Sequence, residues 1–177
     1  MTPEFSRIIR AHDVGTSPRR EAIEAKPLER IALATRFDLL TLDRLTADLT
    51  IVRDAGGIRV TGSFDAAGEQ ACVVSAEPVA FTLAELVDLR FSDDVPEGDE
   101  IELGDSDLDV VPLDGDHLDL GEAIAQSLGL ALDPYPRAPA EIRAAAERLL
   151  TTEAEAEAIA AADKARANPF AMLRPPK

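Results

Sequence analysis

Apolar and polar residues alternate along residues 42–91, and this is the most extended pattern in the chain. Apolar residues and one glycine occupy every second position of two runs: Leu45, Ala47, Leu49 and Ile51, then Ile58, Val60, Gly62 and Phe64. Successive strand side chains point to opposite faces, so each run predicts a strand with one buried face. Residues 54–57 lie between the runs, and their adjacent glycines supply the positive φ angles of a short hairpin turn.

Two further runs, at residues 71–75 and 79–91, extend this pattern to a predicted antiparallel sheet. Pro78 lies between them, which is typical of a strand edge or a connection. Glu85 falls in the apolar row of the last run, so we expect either a β-bulge or a local approach to water there. Residues 3–14 and 19–25 are predicted to form short strands that precede the sheet.

Helical patterns flank the sheet. Pro27 suits the first turn of a helix, where its missing N–H has no partner to lose, and the apolar spacing that follows predicts a helix over residues 27–38. Asp119 and Glu122 have the spacing of a capping box, with Asp in place of Ser or Thr, at the start of a helix predicted over residues 119–131. A further helix is predicted over residues 139–165, and its apolar face thins beyond residue 151.

The predicted fold class is therefore α+β, with an antiparallel sheet that can curl toward a barrel-like form and with helices on its flanks. A chain of 177 residues is long enough to bury one core. We expect residues 1–150 to form a single domain that includes an acidic loop over residues 92–118. Residues 151–177 are expected to add an Ala/Glu-rich helical extension and a Pro-rich tail.

Charge is distributed unevenly along the chain, whose formal net charge is −16 from 18 basic and 34 acidic residues. Residues 93–119 hold twelve acidic side chains, whereas residues 91–136 contain no Lys or Arg. Such a block is either a solvated loop or a docking surface for a basic partner. The candidate docking residues are Asp93, Asp94, Glu97, Asp99, Glu100 and Glu102.

The first 60 residues are nearly balanced, with ten basic and nine acidic side chains. RNA binding depends on cations that neutralise phosphates, so a protein of this net charge needs a locally concentrated basic face to approach RNA. The candidate RNA contacts are Arg19, Arg20, Lys26, Arg44, Arg53 and Arg59.

No residue pattern in the sequence predicts catalysis, a cofactor or a metal site. The single cysteine, Cys72, cannot form an intramolecular disulfide, and together with His12 and His117 it completes no familiar zinc set. No apolar run approaches the roughly 20 residues that span a bilayer, and the first residues lack the apolar segment of a signal peptide. We therefore expect a non-enzymatic, soluble protein of the reducing cytoplasm that takes no small-molecule substrate.

Short stretches, spread in order along the chain, carry a family resemblance. They are residues 4–7, 29–34, 60–63, 70–74, 77–79, 117–122, 133–137 and 168–170. The motif residues within the later stretches are Cys72, Glu77, Pro78, Asp133, Pro134, Tyr135, Pro136, Arg137, Asn168, Pro169 and Phe170. Together these stretches resemble the YceD-like family of large ribosomal RNA subunit accumulation proteins, long catalogued as a domain of unknown function.

The resemblance implies a non-catalytic role in making or keeping large-subunit ribosomal RNA, with that RNA, a ribosomal protein or an assembly factor as the partner. The alternative is a cytosolic acidic adaptor that binds a basic partner unrelated to ribosomes. Many members of the family carry a Cys-x-x-Cys pair and further cysteines after the central helix. This chain has Ser75 in the fourth position of that pair and no cysteine over residues 133–139, so metal binding by those relatives does not carry over.

The purified protein is expected to hold no stoichiometric zinc, because one cysteine and two histidines far apart in sequence cannot supply a four-ligand site by themselves. Elemental analysis should find no bound zinc, and a chelator should leave the thermal unfolding midpoint unchanged. One tightly held equivalent of zinc would show that this prediction is wrong.

Overall fold

The computed structural model describes residues 3–92, 110–113, 115–147 and 153–166. The strands are β1 (Ile8–Arg10), β2 (Arg19–Glu24), β3 (Leu39–Asp54), β4 (Gly57–Ala71), β5 (Pro78–Ser92), β6 (Val110–Pro112) and β7 (His117–Asp119). The helices are α1 (Pro27–Arg36), α2 (Leu120–Ala131), α3 (Ala140–Glu147) and α4 (Glu153–Arg166), and a 3-10 turn (Ala11–Asp13) follows β1. The predicted α+β fold class is confirmed.

The strands form two sheets. Five of them pair in the order β2-β3-β4-β5-β6, and every pair is antiparallel except β5 with β6, which is parallel. The short strands β1 and β7 form a separate antiparallel pair. Within the described part of the chain, the five-stranded sheet is open and does not close into a barrel.

The alternation in β3 and β4 sorts side chains onto a buried and a wet face, as the sequence predicts. The buried row includes Leu45, Ile51, Ile58, Val60 and Phe64, each at most 1 % exposed. The two long strands are joined by a tight turn at Gly57, which has φ of 125°. A Cβ atom at this position would overlap the carbonyl oxygen of Phe91, so both the conformation and the space favour glycine.

The third predicted strand, over residues 71–75, is wrong. β4 ends at Ala71, and the next residues form a turn in which the Ala76 N–H donates to the Cys72 carbonyl (2.8 Å). Ala76 has φ of 60°, a conformation that a continuing strand cannot contain. The apolar run at 71–75 is therefore too short a signal to separate a strand from a tight turn.

Glu85 reaches water without a bulge. It pairs directly with Phe64 in an unbroken register between β4 and β5, and its side chain is exposed. Among the described strands, β6 pairs only with Arg90–Ser92, so the edge of β5 at Glu85 has no strand partner. The bulges lie instead in β3, where the register with β4 shifts between Leu42 and Arg44 and again between Leu39 and Thr41.

The helices follow their predicted positions with shorter bounds. α1 packs on β3 and ends at Arg36, two residues before the predicted end. The helix predicted over residues 139–165 corresponds to α3 and α4, and residues 148–152 between them lie outside the described structure. Side chains of α4 with described burial are all exposed. None of the described helices is long and apolar enough to cross a membrane.

Asp119 caps α2 and also holds the N-terminal segment in place. Its carboxylate accepts hydrogen bonds from the backbone N–H groups of Gly121 (3.0 Å) and Glu122 (3.2 Å). It also accepts from the Ser6 hydroxyl (2.5 Å) and the Arg7 backbone N–H (2.7 Å). Donors from two distant parts of the chain therefore converge on one carboxylate, which fixes the start of α2 against the strand pair β1–β7.

Ion pairs connect this cap to α1. The Arg7 guanidinium pairs bidentately with Glu29 (2.9 and 2.8 Å), and its hydrogen bond lowers the pKa of Glu29 to about 2. Arg36 pairs bidentately with Glu122 (2.8 and 2.7 Å). Asp119 therefore caps the helix, as predicted. The other half of the predicted capping box is wrong, because the Glu122 carboxylate binds Arg36 instead of the N-cap backbone N–H.

Asp119→Ala is expected to lower the free energy of unfolding by about 2 to 3 kcal/mol, because it removes a helix cap and leaves the Ser6 and Arg7 donors unpaired. Asp48→Ala removes the same charge from the exposed face of β3 and should change that free energy by less than about 0.5 kcal/mol. Urea unfolding measures both variants. Equal losses would contradict the role of Asp119.

Candidate functional site

The six predicted RNA contacts do not lie on one patch. Three of them make contacts within the protein. Arg19 pairs with Glu21, Arg59 pairs bidentately with Asp88 (2.9 and 2.6 Å), and Arg53 donates to the carbonyl oxygens of Val14 (3.0 Å) and Ala11. The guanidinium of Arg53 therefore holds the segment that follows β1 and is not free for a phosphate.

The remaining cations, Arg20, Lys26 and Arg44, are exposed. Arg20 lies opposite Thr50 on edge strand β2, whereas Arg44 lies in the bulged end of β3 opposite Ala67. Six residues of β3 separate Thr50 from Arg44, which corresponds to roughly 20 Å along an extended strand. RNA contact by these residues stays a prediction. The six acidic docking candidates of residues 93–102, and Asn168, Pro169 and Phe170, lie outside the described residues.

Two of the motif stretches, far apart in sequence, meet in the structure. The Gln70 side chain donates to the Asp133 carbonyl (3.0 Å), and the Val73 N–H donates to the Pro136 carbonyl (2.9 Å). The Ala138 N–H donates to the Cys72 sulfur (3.3 Å). The loop after α2, residues 133–138 (the Tyr135 loop), is thus fastened at three points to the end of β4 and to the turn at residues 72–76 (the Cys72 turn).

This loop is rigid for local reasons as well. The Tyr135 N–H donates to the Asp133 carboxylate (2.8 Å), which forms an Asx-turn, and the flanking prolines fix their own φ angles. Pro136 is buried, whereas Tyr135 is 71 % exposed. A single tyrosine, the only one in the chain, is therefore displayed on a fixed backbone.

A groove of about 300 Å³ runs between this loop and the end of α1. Its apolar walls include Phe37, Leu132, Pro134 and Pro136. Its polar lining comes from Asp38, Gln70 and Asp133, and among the described residues no Lys or Arg lines it. The groove therefore combines apolar walls with two aspartates. Asp38 was not identified from the sequence as a site residue; it was predicted as the last residue of the helix over residues 27–38, whereas α1 ends at Arg36.

Cys72 lies beneath the loop and is 3 % exposed. The Ser75 hydroxyl lowers its pKa from the ordinary 9.0 to about 6, with further hydrogen bonds from the N–H groups of Ala138, Ser75 and Val74. Burial acts in the opposite direction. The thiolate is thus stabilised by donors of the turn and of the loop, and it helps to join them.

The residues present do not fit a metal ion at this turn. The sulfur of Cys72 already accepts from the loop, and the turn contains no second cysteine, with Ser75 three residues after Cys72. Within the described residues, no group of three or more His, Cys, Asp or Glu side chains is arranged to hold a metal.

Stability is expected to rise with pH between about 6 and about 9. Because the pKa of Cys72 is lower in the folded protein than in the unfolded chain, the thiolate favours the folded state. That contribution is complete above the unfolded pKa and is lost as the pH falls through about 6. Cys72→Ser keeps the acceptor and removes the titration, so the difference in unfolding free energy between the two proteins should grow with pH. A constant difference would refute this role of the thiolate.

Comparison with known protein families supports the family resemblance of the motif stretches that meet at the groove. Neither the curated proteins nor the solved structures give a match to this chain. The family model described as "Large ribosomal RNA subunit accumulation protein YceD" matches residues 60–175, which include the Cys72 turn and the Tyr135 loop. Because this match covers more than half of the sequence, the chain belongs to the YceD family.

Proposed function

We propose that this protein is a non-catalytic factor in large ribosomal subunit biogenesis that supports the accumulation of large-subunit ribosomal RNA. The observation that carries the proposal is the family match over residues 60–175. The family's description refers to large-subunit RNA accumulation, and the matched residues include the rigid loop and all of the groove lining except Phe37 and Asp38. The proposed place of action is the cytoplasm.

The candidate site supports binding more than chemistry. Cys72 is the strongest nucleophile in it, but its sulfur is buried and surrounded by hydrogen-bond donors. A nucleophilic mechanism needs a neighbouring base and an accessible reacting atom, and no such pair lines the groove among the described residues. A rigid loop with an exposed tyrosine instead resembles the anchors that dominate protein interfaces.

The contacts within the chain favour a protein partner over RNA as the direct contact. Arg53 and Arg59 are held by carbonyl and carboxylate groups, so they contribute little free positive charge to phosphates. The net charge of −16 opposes approach to RNA unless cations are concentrated on one face. A basic ribosomal protein or assembly factor needs no free cations on this protein, and the negative net charge does not oppose its approach. Direct RNA binding through Arg20, Lys26 and Arg44 remains the second mode.

The protein is expected to sediment with precursors of the large subunit, and its removal should lower large-subunit RNA relative to small-subunit RNA. Gradient sedimentation of lysate, with immunodetection and RNA quantification across fractions, measures both effects. A protein that stays at the top of the gradient, with unchanged RNA ratios after its removal, would instead support the adaptor alternative.

The same gradient separates the two binding modes. Neutralising Asp93, Asp94, Glu97, Asp99, Glu100 and Glu102 should weaken docking of a basic partner, chiefly through a slower association rate that matters less at high salt. Replacing Arg20, Lys26 and Arg44 by Gln should weaken an RNA contact and flatten its salt dependence. Arg53 and Arg59 are left intact because their guanidinium groups are already engaged within the chain.

A further inference from the structure

We propose that the groove between the end of α1 and the Tyr135 loop binds the side chain of an arginine or lysine in an extended basic segment of a protein. The inference rests on the proposed function and deepens it, because it assigns a site and a chemical class to the partner. It does not depend on the acidic residues of 93–102.

Charge complementarity identifies the occupant. Asp38 and Asp133 both line the groove. Neither carboxylate takes part in an ion pair within the described structure. The Tyr135 N–H occupies only one oxygen of Asp133, at 2.8 Å, which leaves the other oxygen able to accept. Two carboxylates without a cation attract a cationic side chain, and a guanidinium can donate to both through its planar fork.

The backbone at Asp38 supports a role for its carboxylate. Asp38 follows the last turn of α1 with φ of 53°, in the left-handed region where helix ends usually carry glycine. An aspartate at this position costs conformational energy relative to glycine. Asp38 nevertheless occupies it and lines the groove. An acidic side chain that recruits a cation accounts for this choice of residue.

The remaining lining and the volume suit one side chain better than a larger ligand. About 300 Å³ is the lower limit for pockets that hold small molecules, and the apolar walls match the aliphatic stem of Arg or Lys. Tyr135, which is 71 % exposed, and Val73, which is 51 % exposed, offer contact area beside it for the rest of the segment. RNA is disfavoured because its phosphates would face Asp38 and Asp133.

The test uses the acetylated and amidated peptide Gly-Ser-Arg-Ser-Gly as the probe, titrated into the isotopically labelled full chain. Amide shifts in the NMR spectrum should change at Gln70, Val73 and Tyr135 more than elsewhere. The same peptide with citrulline in place of arginine keeps the shape and lacks the charge, so it should produce no comparable shifts. Equal shifts with both peptides would overturn the proposal.

Asp38→Asn and Asp133→Asn should each weaken binding of the arginine peptide about threefold or more. Both variants are expected to fold, because Asn tolerates the left-handed region and its amide oxygen can still accept from Tyr135. Asp48→Asn on the exposed face of β3 removes the same charge and should bind as the parent protein does. Equal weakening by all three variants would mean that only net charge matters, which contradicts a specific groove.

Three further outcomes separate this inference from the proposed function. If a single-stranded oligouridylate shifts the same amides at lower concentration than the arginine peptide, the groove binds RNA and the inference is wrong. If Asp133→Asn loses the peptide but still sediments with large-subunit precursors as the parent does, the groove is not the docking site and the proposed function stands. If the parent protein itself is absent from precursor fractions, the proposed function fails, whatever the peptide binds.

Discussion

The carboxylate of Asp119 is the point on which the arrangement of the described chain depends. It accepts from the first N–H groups of α2 and from the segment of Ser6 and Arg7, so one side chain positions a helix and an N-terminal strand together. Gly121 is required beside it, because a Cβ there would overlap the Phe5 carbonyl oxygen. The Arg7–Glu29 pair extends the same anchor to α1. At neutral pH it adds stability that is lost as the pH falls from about 4.5 toward 2.

The position of α2 in turn determines the groove. Asp119 fixes its first residue, and the loop after Leu132 is fastened at the other end by Gln70, Val73 and Cys72. The loop cannot shift without breaking contacts at one end or the other. An exposed tyrosine on such a support loses little conformational entropy on binding, which is the advantage of a preorganised contact. Rigidity far from the groove thus contributes directly to what the groove can recognise.

Local patterns predicted much of the fold, and long-range contacts account for what they missed. The alternation in residues 45–64 and the Asp119 cap depend on neighbours in sequence, and both are confirmed. The partner of Glu122 is Arg36, which is 86 positions away and invisible to any local motif. Local patterns also missed the Cys72 turn, because the loop that hydrogen-bonds to it lies more than 60 residues later in the sequence. The candidate site likewise combines residues of two motif stretches with Asp38, and only the tertiary structure brings them together.

Counting charges along the sequence overstates the cations that are available to a partner. Arg7, Arg36 and Arg59 each form a bidentate ion pair within the chain, and Arg53 is engaged by carbonyl groups. Each ion pair also neutralises one carboxylate, so pairing leaves the net charge at −16 and a large excess of acidic side chains remains. The surface field is therefore set by unpaired carboxylates, and such a field speeds the approach of basic partners and slows that of nucleic acid. The description of the family refers to ribosomal RNA accumulation, which does not require direct contact with RNA, because a factor that binds a basic component of the subunit would affect the RNA through assembly.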